Sequence, residues 1–274
     1  MATFDELVRE GGLVPVEGWD FSWFDGRATE ERPPWGYWRQ LPALYSGADA
    51  VLDVQTGGGE VFAQALAATA RAPRFVAATE SWRPNLELAE RALAPWSGGV
   101  VHMADDAGLP FADDFFDVVS SRHPNVTLWR EIARVLCPGG TFISQQVSPL
   151  ATNRELYEFF LGPQAQEPSE GLATIRNGVA DAGLELVDLQ YAETRVEFFD
   201  IAAVVYFLRK VLWTVPGFTV DGYRERLLEL HALIEERGSF VSYSRHALVV
   251  ARRQSVIAES ATTSRSPGRS RSSG

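Results

Sequence analysis

From residue 50 onward, short β-branched runs alternate with stretches whose apolar residues recur at helical spacing, the pattern of a doubly wound α/β sheet. The runs 50–54, 74–79, 99–103, 116–121 and 141–147 predict five strands. Between the first two, Val61, Phe62, Ala65 and Leu66 share one helical face, and after Pro84, suited to a helix start, Leu86, Ala89 and Leu93 do the same. "VLCPGG" at 135–140 predicts a helix end and a tight turn before the fifth strand, since Pro138 cannot continue a helix and the glycines tolerate positive φ. Beyond Val147 the pattern predicts helices over 152–161 and 169–182 and an alternating strand near 185–193. An apolar helix, an amphipathic one carrying Tyr223, Leu227, Leu230 and Ile234, and a seventh strand near 241–250 follow.

Residues 196–238 therefore read as a helical cap inserted between two late strands. The chain divides into an aromatic-rich segment (1–44), a main α/β domain (45–253) and a tail (254–274). "SRSPGRSRSSG" in that tail has no apolar residue to bury and predicts disorder. The first segment places Trp19, Trp23, Trp35 and Trp38 close together, either as a satellite core or as the wall of a pocket.

Composition narrows the partners. The formal net charge is −11, and the tail, with three Arg against one Glu, leaves the body more acidic still, so nucleic acid is not expected as a partner. A single cysteine, Cys137, allows no internal disulfide, and no paired Cys or His spacing suggests a metal. The start, "MATFDELVREGG", has acids where a signal peptide is basic, and the apolar stretch from Ile201 is broken by Arg209 and Lys210 before it could span a bilayer. A cytoplasmic protein with a small-molecule substrate and no membrane association is expected.

The candidate chemistry centres on "VLDVQTGGGE", residues 51–60: a strand, a glycine loop and a helix start, the geometry that sets backbone N–H groups against an anion. A dinucleotide fingerprint counted from Gly57 and Gly59 needs a small residue where Phe62 stands, and a Walker loop needs a lysine, of which Lys210 is the only one in the chain. What the segment resembles is motif I of the class I S-adenosylmethionine-dependent methyltransferases, D-x-G-x-G-x-G, running here from Asp53 through Gln55, Thr56 and Gly57 to Gly59. "FVAATE" ends in Glu80, where the family keeps the acid that takes the two ribose hydroxyls. "MADDAGLPFADDFFDVVSS" resembles the segment that supplies an adenine-contacting acid, mapped onto Asp105, with an adjacent backbone N–H at Asp106. "REIARVLCPGGTFISQQV" is similar to the family's next helix, turn and strand. The resemblance covers about residues 45–150 and implies a Rossmann-like, mostly parallel seven-stranded sheet with an antiparallel last strand, S-adenosyl-L-methionine as cofactor and methyl transfer as the activity.

Gln55 departs from the motif's first glycine. Its amide could bond the cofactor, which is the expected outcome, turn aside, or fill the site. On the acceptor side, "SSRHPN" presents His123 as the expected base and Arg122 as a partner for an acidic substrate group or a neighbouring Asp, while Tyr206 and Trp213 are the cap aromatics expected to touch an apolar substrate. His102, His231 and His246 read as structural. The competing readings are a non-methylating scaffold on this fold, with Gln55 altering the cofactor site, and an RNA methyltransferase, which the acidic body disfavours.

Overall fold

A computed structural model describes residues 2–16, 21–147, 152–165 and 169–255. Trp19 and the tail beyond residue 255 lie outside the described residues. In chain order the elements are α1 (Phe4–Leu13), β1 (Ala28–Glu30), α2 (Tyr37–Ser46), β2 (Ala50–Asp53), α3 (Glu60–Ala67), β3 (Phe75–Glu80), α4 (Arg83–Leu93), β4 (Gly99–His102) and β5 (Phe116–Arg122). Then come α5 (Trp129–Val135), β6 (Leu136–Val147), α6 (Arg154–Leu161), α7 (Ser169–Asp181), β7 (Leu184–Phe198), α8 (Ile201–Lys210), α9 (Arg224–Arg237) and β8 (Phe240–Arg253).

One sheet of eight strands carries them in the order β1-β7-β8-β6-β5-β2-β3-β4. Strands β2 to β6 run parallel, and β8 pairs antiparallel with both β6 and β7. The strand count is eight rather than seven because Ala28–Glu30 adds an antiparallel edge to the far end of β7. Three residues with two polar ones carry no strand pattern of their own, and only the partner makes them a strand. Strand β7 also extends five residues past its predicted end, where Val196 and Phe198 turn inward to the cap. Nor does the Pro138 turn precede β6. Pairing starts at Leu136 opposite Phe116, shifts register by Val118, and Gly139 at φ 85 absorbs the irregularity.

Alternation along the strands sorts the core onto two faces. Leu52, Val119, Phe142 and Val249 pack with α5 and α7, whereas Val51, Val118, Ile143 and Leu248 pack with α2 and α3. A third core belongs to the cap, where Val204, Leu208, Leu227, Leu230 and Ile234 meet Val8 from α1 and Leu156 and Phe160 from α6. Helix α1 approaches α8 so closely that a Cβ at Gly11 would lie 2.3 Å from the Ala202 carbonyl oxygen. Asp200 caps α8 through the Ala203 N–H at 2.8 Å, and Arg27 joins Asp200 to Glu10, tying cap to N-terminal segment.

Candidate functional site

The carboxyl ends of β2, β3, β4 and β5 meet at one edge of the sheet, where the strand order reverses on either side of β2. Asp53 ends β2 and is only 6% exposed. Its Oδ1 accepts the Ser120 hydroxyl at 2.5 Å, and the Tyr45 hydroxyl sits 2.7 Å from Ser120 Oγ. Burial pushes the Asp53 carboxyl up to about 6, against the opposing pull of Ser120, Thr56 and the charge of Arg122.

Glu80, at the end of β3 and also 6% exposed, accepts the Gly57 N–H on one carboxylate oxygen and the Trp82 N–H on the other, both at 2.8 Å. The glycine loop is thus fastened to the neighbouring strand through a carboxylate. Gly57 holds φ 65, and nothing lies within 4 Å of where a Cβ would point, so this part of the loop faces open space. Gly59 serves another purpose. At φ 79 it starts α3, and its missing side chain lets the backbone of α4 approach, with Ala89 Cα 3.1 Å from the position a Cβ would take. Asp105 follows β4 and accepts the Asn125 side-chain N–H at 2.9 Å; Asp106 beside it is exposed.

Gln55 turns towards the segment after β5. Its Nε2 donates to Val126 O and its Oε1 accepts the Asn125 N–H, each at 2.7 Å. With the Asn125 bond to Asp105, this makes a latch from the glycine loop through residues 125–126 to the loop after β4. The expected bond from the Gln55 amide to the cofactor is not the arrangement seen, because the amide is engaged with loop backbone at both ends. The residue pays for this latch in backbone strain, holding a left-handed φ of 57 without being glycine.

His123 sits beyond the end of β5, also left-handed at φ 56. Trp35, at the start of the α2 approach, donates Nε1–H to Gln145 Oε1 at 2.8 Å. That fixes the Gln145 amide so that its NH₂ faces His123 Nε2, also at 2.8 Å. The His123 Nε2 must then be the bare acceptor, with the ring proton on Nδ1. Burial among neighbouring atoms, then the charges of Arg122 and His246, lower its pKa to about 3. The residue is nonetheless exposed at the surface, and with a lowered pKa the ring is neutral at pH 7. A base needs a free lone pair, and the one on His123 is occupied. The geometry gives His123 the part of a hydrogen-bond donor.

Arg122 is exposed at the same strand end. Tyr206 and Trp213 do not join this cluster. Tyr206 is 2% exposed, packed at 5.0 Å against both Trp23 and Phe24 in the cap interior, and Trp213 is 59% exposed past the end of α8. The cap's own core consumes the ring expected to meet substrate. The tryptophans divide between the two readings, with Trp23 in the satellite core and Trp35 against the site. Gln145, Asn125 and Ser120 were not among the expected site residues. Their signal was polarity at the ends of apolar runs, in "FISQQV" and "DVVSSRHPN".

Residues 52–144 match the family model described as a methyltransferase domain. Over these residues the chain is similar to a methyltransferase domain. A solved Bacillus halodurans structure assigned as a methyltransferase is 19% identical, with 80% of this chain and 97% of the other covered and a TM-score of 0.55. A Deinococcus radiodurans protein of unknown function is 16% identical, with 91% and 98% covered and a TM-score of 0.54. These two share the fold. No curated protein matches the sequence significantly.

The site fits S-adenosylmethionine, the cofactor of the methyltransferases that this domain resembles. Each oxygen of Glu80 holds one N–H and retains a lone pair for a hydroxyl. Asp53 is a buried carboxyl whose pKa burial raises, and the open face at Gly57 leaves room beside the loop.

The Gln55 latch makes a prediction with two arms. Gln55→Ala keeps the left-handed backbone and loses the amide bonds, and should lower stability by about 1–2 kcal/mol. Gln55→Gly loses the same bonds but relieves the strain, so its stability should lie within about 1 kcal/mol of the parent. Urea denaturation of the three proteins tests this; equal losses in both variants would show that the φ of 57 carries no strain.

Proposed function

We propose that this enzyme moves the methyl of S-adenosylmethionine to a small, partly apolar acceptor held at the end of β5. The observation that carries the reading is Glu80, a buried carboxylate braced by the Gly57 and Trp82 N–H groups beside an open glycine loop. Glu80 would take the ribose hydroxyls. Asp105 and the Asp106 backbone would meet the adenine, and Asp53, Thr56, Gly57 and Gly59 would line the remainder, with Gln55 holding the loop. When bound, the cofactor supplies an electrophilic methyl on a sulfonium.

The protein's share is orientation and exclusion of water, since displacement at a sulfonium needs alignment above all. The Gln55–Asn125–Asp105 latch would fix the loop beneath the acceptor, and Trp35 would give it an apolar wall. His123 would donate Nδ1–H to the acceptor, and Arg122 would receive an anionic substituent. A small-molecule acceptor agrees with the net charge of −11, which opposes approach of RNA phosphates. Among the described residues no helix is long and apolar enough to cross a membrane, and we place the enzyme in the cytoplasm.

Calorimetric titration with S-adenosylhomocysteine, followed by transfer from methyl-tritiated cofactor to a small-molecule panel and to total RNA, tests the reading. Micromolar binding and label in small molecules are the expected results. No binding at millimolar ligand would favour a non-methylating scaffold, and label confined to RNA would overturn the acceptor class.

A further inference from the structure

Methylation of a hydroxyl releases a proton, and His123 Nε2 already accepts the Gln145 amide and is poorly placed to take it. A second imidazole stands beside it. His246, midway along β8, pairs with Val147 of β6 and Ala192 of β7, two residues along from the Leu248–Gln145 pair. It is 5% exposed, and neither ring nitrogen has a hydrogen-bond partner. Its ring centroid lies 5.9 Å from that of His123, and on its other side Glu30 Oε1, from edge strand β1, lies 3.7 Å from Nε2.

Buried polar atoms with no partner are rare in folded proteins, and His246 carries two of them on one ring. Glu30 lies near that ring but outside hydrogen-bond range, so neither imidazole nitrogen is bonded within the described protein and both are left for a ligand atom. The surroundings give the ligand its chemistry. Trp35, bonded to Gln145, supplies an aromatic face, His123 Nδ1–H a donor, and His246 an acceptor. Imidazole can assist removal of a proton from a phenol far better than from an alkanol, because the acidity of a phenol is much closer to its own.

We propose that His246, supported by Glu30, binds the acceptor and takes its proton, and that the acceptor is a phenolic hydroxyl compound. The proposal rests on the methyltransferase reading and deepens it. As the phenol oxygen forms its bond to the methyl carbon, the carbon–sulfur bond breaks with its electron pair returning to sulfur, and the O–H proton passes to His246. Glu30 then faces an imidazolium. The titratable groups around the ring are Glu30 from β1 and His123, with Arg122 behind it, from the end of β5; its strand partners Val147 and Ala192 do not titrate.

The test uses the full-length ¹⁵N-labelled protein saturated with S-adenosylhomocysteine, with 4-methylphenol as the probe. Long-range ¹H–¹⁵N spectra should show the His246 ring nitrogens shifting on titration while those of His102 and His231 stay put. His246→Ala, and His246→Gln as a bulkier variant to guard against collapse of the strand, should lose at least tenfold in 4-methylphenol affinity. Both should also lose about a hundredfold in methyl transfer to phenols, with S-adenosylhomocysteine affinity unchanged within twofold. Glu30→Gln should lower methyl transfer to phenols while S-adenosylhomocysteine affinity stays within twofold of the parent. Parent-like transfer to phenols by both His246 variants, or unmoved His246 resonances in a protein that does bind S-adenosylhomocysteine, would overturn the proposal. Failure of the unaltered protein to bind S-adenosylhomocysteine would overturn the methyltransferase reading beneath it.

Discussion

Replacing Glu80 by Gln, ordinarily a mild change, should weaken S-adenosylhomocysteine binding almost as much as replacing it by Ala, by about 1.5–3 kcal/mol or roughly 10- to 150-fold. Both carboxylate oxygens already accept a backbone N–H, from Gly57 and from Trp82. A glutamine amide has one acceptor oxygen, so whichever way it turns, its NH₂ meets one of those two N–H groups. The donor clash pushes the Gly57 loop away from β3, and the ribose loses both its acceptor and the loop beside it. Ala leaves the two N–H groups unmatched but adds no repulsion. Calorimetry on the three proteins decides the matter, and a Gln variant within twofold of the parent would show that the carboxylate's bonds to the loop do not matter for binding.

A second large effect concerns pH and stability. The Asp53 carboxyl holds its proton up to about pH 6 in the folded protein and to about pH 4 in the unfolded chain. Below about pH 4 both states are protonated and the group's contribution is fully present. As pH rises to about 6 the unfolded chain loses the proton first, and about 3 kcal/mol of stability is lost over that window. Asp53→Asn removes the titration while an amide oxygen can still accept the Ser120 hydroxyl. The variant should therefore gain about 3 kcal/mol relative to the parent between pH 4 and pH 7, measured by urea denaturation at both pH values. A difference that stays constant with pH would mean that Asp53 ionises as freely in the fold as in water.

The parallel half of the sheet was legible because strands buried on both faces must be apolar throughout, as in β2, where all four residues are buried. The acids Asp53, Glu80 and Asp105 were legible because each ends or follows a strand at one edge. Strand β1 was hidden, since Ala28–Glu30 becomes a strand only through pairing with the far end of β7. The fate of Gln55 was also hidden, because it depends on Asn125 and Val126, seventy residues away, meeting its amide. His246 looked structural for the same reason. Position in a strand says which face a ring occupies, and only the fold says that His123 and Glu30 flank it while nothing bonds it.

Strand β8 lies between β6 and β7 and is the last element among the described residues. During synthesis the parallel strands and the β7–cap unit must therefore wait, each with an unpaired margin, until residues 240–253 have left the ribosome and can slide between them. The growing chain is most prone to aggregate in that interval. A nascent polypeptide halted before Phe240 would present two open margins to its neighbours, and chaperone dependence should peak there and fall once Arg253 has emerged.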